Sequence, residues 1–142
     1  KNLICFDDVK AKIGRPMKVS KECIVGLVTA LKIFLDTDQD AVWAEWKRKA
    51  NYIAKQLGQI EGIKIVVEDE STVREGPQVI FYFSKDWKGI SPDRLKRNLE
   101  SGNPSIYLGD GGYGADMNIS MVNVRDGEEK IISEKLKEIL II

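Results

Sequence analysis

The chain has 142 residues, with 22 Lys and Arg balanced by 22 Asp and Glu, two Cys and no His. This length and a hydrophobic content of 43% predict one globular domain whose core needs no disulfide or metal. A formal charge of zero without a basic block disfavours nucleic acid and anionic membranes as partners, and the absence of His excludes Ser-His-Asp triads and His-bearing zinc sites.

The two cysteines, Cys5 and Cys23, lie far apart and form no CxxC motif, so we expect reduced thiols and a cytoplasmic chain. No apolar run approaches the roughly 20 residues of a spanning helix, which predicts a protein without membrane anchorage. The sequence starts at Lys1 rather than Met. We therefore interpret the chain as a processed or excised part of something longer.

Two amphipathic helices are predicted in the first half of the chain. Ser20 is the expected N-cap of the first, and apolar residues follow it at helical spacing. The second carries an apolar stripe from Trp43 to Leu57 and ends before Gly58, a typical C′ residue.

The period then changes to that of strands. Residues 63–67 and 79–83 are rich in β-branched and aromatic side chains, and the turn residues at 74–77 predict an antiparallel pair. A short helix opened by Ser91 and Pro92 ends before Gly102. Further strands are predicted at 106–108 and 118–124, and a last helix carries apolar residues from 131 to 140.

The predicted order is therefore α-α-β-β-α-β-β-α. Alternating βαβ units are missing, which disfavours a doubly wound parallel sheet. The sequence predicts an α+β fold with a small, mainly antiparallel sheet covered on one face by helices.

An acidic run, with Asp36, Asp38 and Asp40 at alternate positions, imitates the first three ligands of an EF-hand loop. Position 6 of that loop would be Ala41 instead of Gly, and position 12 would be Lys47 instead of Glu. These mismatches favour acids placed at the start of the second helix, where the helix dipole stabilises them. We expect no metal site.

Residues 109–114, Gly-Asp-Gly-Gly-Tyr-Gly, resemble a phosphate cradle. Phosphate loops lead into a helix N-terminus, whereas the element expected next here is a strand. The pattern favours a flexible, hairpin-like connection, with a loop that lines an active site as the alternative.

Residues 14–19, Gly-Arg-Pro-Met-Lys-Val, form an extended leader, because Pro16 biases Arg15 away from helical backbone angles. Arg15 and Lys18 are thus two cations just before a helix N-terminus. This arrangement is compatible with a grip on phosphate or carboxylate, whereas composition alone favours a solvated linker.

Two stretches carry a resemblance to a known family. The leader with residues 21–22 and 24–27 is one, and residues 102–107, Gly-Asn-Pro-Ser-Ile-Tyr, are the other. They are similar to segments of the selenocysteine-synthase-like group of pyridoxal-phosphate enzymes, which includes L-seryl-tRNA selenium transferase and D-glucosaminate-6-phosphate ammonia lyase. The element order agrees as well, so the resemblance covers nearly the whole chain.

The resemblance implies a C-terminal small domain of a larger enzyme. Residues 1–20 would be an extended leader joining to a large domain, and residues 21–142 the small domain. In this family the Schiff-base lysine and most contacts to pyridoxal phosphate belong to the large domain, and only 13 residues precede Gly14 here. We therefore expect no catalytic residue in this chain and no activity of the chain alone.

The parent enzyme implied is a pyridoxal-phosphate-dependent lyase or transferase acting on an amino acid or amino sugar acid. Its small domain would close the substrate side of the active site and contribute to a dimer or other homo-oligomer. Arg15 and Lys18 would contact the substrate or a phosphate. The expected partners are the large domain of the same protein, a second copy and a small substrate.

Several residues depart from the family pattern. Ser20 replaces Gly, Cys23 replaces an acid, and Asn103 and Ser105 replace Asp and Pro. Leu108 stands where relatives often carry Arg, which weakens the expectation that a substrate carboxylate is recognised there. The sequence leaves open a selenium transferase or an ammonia lyase, and also a free-standing α+β binding or interaction module without catalysis.

Overall fold

The computed structural model describes residues 19–70, 75–112 and 114–140. Its contacts divide the chain into two units, Lys1–Asp38 and Gln39–Ile142. The elements are α1 (Lys21–Asp36), α2 (Gln39–Leu57), β1 (Ile63–Glu68), β2 (Gln78–Phe83), α3 (Pro92–Glu100), β3 (Met117–Ser120), a 3-10 turn (Met121–Asn123) and α4 (Glu128–Leu140).

In the first unit, α1 begins where the sequence predicts. Ser20 has extended backbone angles, and its hydroxyl accepts a hydrogen bond from the Cys23 N–H at 3.2 Å. Apolar side chains occupy most of the circumference of α1, yet none of its residues is buried. Leu27 and Leu35, for example, are each 71% exposed. Helices apolar on most sides are normally covered by other protein.

In the second unit, three strands form an antiparallel sheet in the order β1-β2-β3. Ile65 pairs with Phe81, and Val79 pairs with Ile119. Successive side chains of a strand point to opposite faces, so the odd-numbered residues of all three strands share one face. That face packs against α2 and α4 in a core that includes Ala50, Ile53, Val79, Phe81, Leu95, Met117, Ile119, Ile132 and Leu136.

The predicted α+β fold and its order of elements are confirmed. Residues 106–108, predicted as a strand, form no strand pairing, and the residue after them, Gly109, forms an isolated bridge with Asn118. The strand predicted at 118–124 ends earlier, at Ser120. The Met121 N–H still donates to the Pro77 carbonyl at 3.0 Å. Proline has no N–H that could donate to the Met121 carbonyl, so the ladder ends here and the chain continues as the 3-10 turn.

Asp40 lies in the first turn of α2, as the dipole interpretation of the acidic run predicts. Within the described ranges, no group of three or more Cys, Asp or Glu side chains is placed to hold a metal ion. None of the described helices has the length and apolar character that crossing a bilayer requires.

Candidate functional site

A cleft of about 320 Å³ lies at the outer edge of β3. Residues 104–109 form one wall, β3 and the 3-10 turn form the second, and the first turns of α4 close the third. The apolar part of the lining includes Ile106, Leu108, Ile119, Val124, Ile131 and Ile132. This volume is at the lower end of the range for small-molecule sites.

The cleft opens where the segment before Gly109 separates from β3. Gly109 and Asn118 exchange backbone hydrogen bonds of 2.9 and 3.0 Å. A continued ladder would pair Tyr107 with Ser120, but these residues form no bridge. Instead, the Ile106 N–H donates to the Leu99 carbonyl at 2.9 Å, and this bond draws the segment toward α3.

The separation leaves the outer edge of Ser120 exposed to the cleft. In an antiparallel ladder, alternate residues direct their N–H and C=O groups to opposite sides. Ser120 is two residues from Asn118, so its backbone groups point to the same side as those that bond Gly109. Ser120 is also the N-cap of the 3-10 turn, and an N-cap carbonyl accepts the first bond of its helix, so the Ser120 N–H is the backbone group left for the cleft.

Several polar side chains of the cleft also retain hydrogen-bonding capacity. Within the described part of the chain, the Ser120 hydroxyl, the Asn123 amide and the Tyr107 hydroxyl have no hydrogen-bond partner. Of the described lining residues only Glu128 is charged, and one of its carboxylate oxygens accepts the Arg125 N–H at 2.9 Å. The described lining therefore offers donors and acceptors together, with one negative charge and no lysine or arginine.

A buried lysine holds one wall of the cleft in place. Lys49 on α2 is 3% exposed, and its ammonium donates to the Val124 carbonyl at 3.1 Å and to Asp126 at 2.7 Å. The hydrogen bond from Lys49 lowers the pKa of the Asp126 carboxyl. Val124 lines the cleft, so this contact fixes one wall against α2.

Glu129 gives the start of α4 a second attachment to α2. Burial alone would raise the pKa of Glu129, but hydrogen bonds from the backbone N–H groups of Glu129 and Gly127 and from the Arg48 guanidinium outweigh it. The pKa is lowered as a result, and the Arg48–Glu129 contact measures 3.3 Å. The charged form thus fastens the first turn of α4 beside the cleft.

The glycine-rich connection is hairpin-like, as the sequence predicts. Gly112 forms a bridge with Ala115, and Gly109 forms the next with Asn118. Lys96 on α3 bonds Asp110 at 2.6 Å, and this contact lowers the pKa of the Asp110 carboxyl. The element that follows is β3, so the helix N-terminus of a phosphate loop is not present at this place.

The structure places the two family-like stretches differently. Pro104, Ser105, Ile106 and Tyr107 of the second stretch line the cleft, next to Leu108. The leader with Arg15 and Lys18 lies outside the described residues. The contributions of Ser120, Asn123 and Glu128 were not predicted. The alternation of polar residues in 118–124 indicates that one face of this strand points away from the core. Only long-range packing determines that this face borders a cleft.

The described residues do not form a complete pyridoxal-phosphate site. Such a site needs a lysine amine for the Schiff base and groups that neutralise the phosphate. Lys49 is the buried lysine, and its ammonium is committed to Val124 and Asp126. Among the residues that the structure describes, no basic side chain lines the cleft. The described part of this chain therefore does not fit the cofactor by itself.

Two comparisons identify similar proteins, while no protein-family model matches the chain. A 5′-C-glycyluridine monooxygenase-decarboxylase from a Streptomyces species is 29% identical over 133 residues, which are 91% of this chain and 33% of that protein. A solved structure of D-glucosaminate-6-phosphate ammonia-lyase matches with a TM-score of 0.59 and 24% identity, over 91% of this chain and 34% of that one. The chain thus spans about a third of the length of each.

The structural match shows that this chain shares the fold of one part of the ammonia-lyase. That enzyme is a member of the group that the two sequence motifs indicate. The resemblance stated from the sequence is therefore confirmed at the level of the fold, and both matches fit a small domain of a larger protein of this kind.

Proposed function

We propose that the chain is the C-terminal small domain of a cytoplasmic, pyridoxal-phosphate-dependent lyase or transferase acting on an amino acid or amino sugar acid. In this proposal residues 1–20 join it to the large domain, which holds the cofactor and its lysine. The small domain shapes the substrate side of the active site and takes part in a homo-oligomer.

The observation that carries this proposal is the position of residues 102–107. This stretch resembles the small-domain motif of the pyridoxal-phosphate group, and four of its residues line a cleft of about 320 Å³. Binding residues concentrate on loops that a rigid core positions, and here the core of sheet, α2 and α4 does so. The cleft is therefore our choice for the substrate side.

The surface of α1 supports the proposed large-domain partner. Leu31 is 54% exposed, Phe34 58% and Leu35 71%, although apolar side chains of this size are normally buried. The matched proteins are about three times as long as this chain, so each has enough additional chain to cover such a helix. We propose that the large domain covers α1.

Arg15 and Lys18 complete the proposal. As cations on the leader, they would bind the carboxylate or phosphate of the substrate through charge-assisted hydrogen bonds. No other residue is assigned a role in anion binding.

The test uses the product of the complete reading frame that contains this chain. We expect it to bind pyridoxal phosphate and to catalyse elimination or replacement on an amino acid or amino sugar acid, whereas residues 1–142 alone bind no cofactor. A complete reading frame without a lysine-bearing large domain would refute the proposal. Because the unit Gln39–Ile142 has a core of its own, that result would favour the free-standing binding module instead.

A further inference from the structure

We infer that the outer edge of β1 pairs with the same edge of a second copy of this chain, so that two three-stranded sheets join into one antiparallel sheet. The inference rests on the proposed function for its setting, a homo-oligomer, and names the surface through which two copies associate. The pairing itself is a property of the described residues and needs no cofactor.

The strand β1 has a neighbour in the sheet on one side only, because the strand order is β1-β2-β3. The Gly62 carbonyl accepts the Ser84 N–H at 2.8 Å, so Gly62 directs its backbone groups toward the β2 side. Backbone groups of successive residues alternate between the two sides of an antiparallel strand. Ile63, Ile65 and Val67 therefore direct their N–H and C=O groups to the outer edge.

Two residues of this edge are open to another strand. The Ile63 N–H donates to the Ile60 carbonyl at 3.0 Å, so the turn before β1 covers the first position. Among the described residues, none forms a backbone bond to Ile65 or Val67 on the outer side. A second copy can satisfy both when Ile65 of each copy lies opposite Val67 of the other. Each of these pairs then exchanges both of its N–H to C=O bonds.

The charges of β1 fit the same register. With Ile65 opposite Val67, Val66 lies on the twofold axis, opposite Val66 of the second copy. Lys64 then lies opposite Glu68 of the second copy, on the face of the sheet away from α2 and α4. A lysine on an edge strand normally discourages pairing, but here it meets an acid, and opposed charges stabilise an antiparallel pair. Glu68 also has an interaction within its own chain, and its two carboxylate oxygens can accept from more than one donor.

Other registers use this edge less well. A shift by two residues in one direction would pair Ile65 with Asp69, which lies beyond the end of β1. A shift in the other direction would pair Val67 with Ile63, whose N–H is already bonded to Ile60. A shift by an odd number of residues would oppose groups that point outward to groups that point inward. The geometry therefore selects one register.

The test is a disulfide at the twofold axis, in the full chain with Cys5→Ser and Cys23→Ser. Val66→Cys places two thiols at a non-hydrogen-bonded pair, where the Cα atoms are about 4.5 Å apart, within the span of a disulfide. We expect a covalent dimer in a glutathione redox buffer, measured by non-reducing electrophoresis. Lys64→Cys is the matched control on the same strand and face. Its two copies would lie about 13 Å apart along the strands, too far for a disulfide, and it should stay monomeric.

Exchanging the charges tests the register without a new thiol. Lys64→Glu should raise the dissociation constant of the dimer roughly tenfold, because two attractive pairs become repulsive. Lys64→Glu combined with Glu68→Lys should restore the native value. Analytical ultracentrifugation of residues 1–142 at several concentrations measures these constants. Association through the exposed apolar side chains of α1 would respond to neither change.

Three results would overturn the inference: a native chain that stays monomeric, a folded Val66→Cys variant that forms no disulfide, or equal crosslinking of Val66→Cys and Lys64→Cys. If circular dichroism shows that Val66→Cys does not fold, the charge variants decide alone, and a failure of the double exchange to restore the dimer would refute the register. Specific dimers of a complete protein that binds no pyridoxal phosphate would refute the proposed function and leave this inference standing. An active pyridoxal-phosphate enzyme without the Val66→Cys crosslink would do the reverse.

Discussion

Replacing Gly111 by alanine should destabilise the protein, because this glycine allows a close approach within the glycine-rich connection. Gly111 is buried, and a Cβ built there would lie 2.5 Å from both the carbonyl carbon and the carbonyl oxygen of Ala115. Ordinary contacts between such atoms exceed 3 Å, and the obstacle is backbone that cannot rotate away. The hairpin that holds Gly109 against Asn118 would have to open.

Overpacking of this kind costs about 1–3 kcal/mol, and we expect about 2 kcal/mol here because the collision is with backbone. Gly112→Ala is the matched control, since its Cβ would meet open space. Its φ of +74° strains an alanine, but alanine also restricts the unfolded chain, which offsets part of the strain. We expect a net loss of about 1 kcal/mol or less for this control. Urea unfolding followed by tryptophan fluorescence measures the loss of unfolding free energy in both variants. At about 4 °C per kcal/mol, Gly111→Ala should lower the Tm by about 8 °C.

The reasoning would be refuted if Gly111→Ala unfolded at the same urea concentration as the native protein. A loss no larger than that of Gly112→Ala would also refute it, because Gly112→Ala introduces backbone strain only and no collision with Ala115. Either result would mean that residues 109–114 adapt freely, as a flexible connection would.

Three further predictions concern a helix cap, the ion pair between the buried Lys49 and the exposed Asp126, and the leader. Ser20→Ala should speed amide hydrogen exchange in the first turn of α1 about fivefold, since a lost N-cap costs about 1 kcal/mol. The Asp126 carboxylate, with its pKa lowered by Lys49, stabilises the fold above the ordinary Asp range, and this contribution is lost as the pH falls through its folded pKa. The urea midpoint of Asp126→Asn should therefore fall less than that of the native protein as the pH is lowered. In the complete enzyme, Arg15→Ala and Lys18→Ala should each raise KM roughly tenfold with little change in kcat. Unchanged exchange rates in α1 would contradict the first prediction. The second would be contradicted if the urea midpoint fell equally with acid pH in Asp126→Asn and the native protein, and the third by an unchanged KM.

Periodicity and caps were sufficient to predict most of the elements. Ser20, Gly58 and Pro92 mark helix ends through local backbone chemistry, and the structure has helix ends at all three. Gly58 indeed has a φ of +64°. Such signals act within a few residues, so a single sequence contains them in full.

The cleft depends on interactions that no local pattern contains. The Ile106 bond to Leu99 separates the chain from β3, and Pro77 ends the pairing of β2 and β3 at Met121. The environment of Lys49 is likewise long-range, because its partners Val124 and Asp126 lie 75 and 77 residues away in the sequence. Long-range packing overrides local propensity at each of these places. The leader containing Arg15 and Lys18 was predicted from its motif and stays a prediction.

The position of the cofactor lysine tests the central claim most directly. The product of the complete reading frame is loaded with pyridoxal phosphate, reduced with borohydride and digested, and the peptide that carries the pyridoxyl group is identified by mass spectrometry. The account predicts one labelled lysine outside residues 1–142, in the large domain. A label on a lysine within residues 1–142, or no specific label at all, would contradict it.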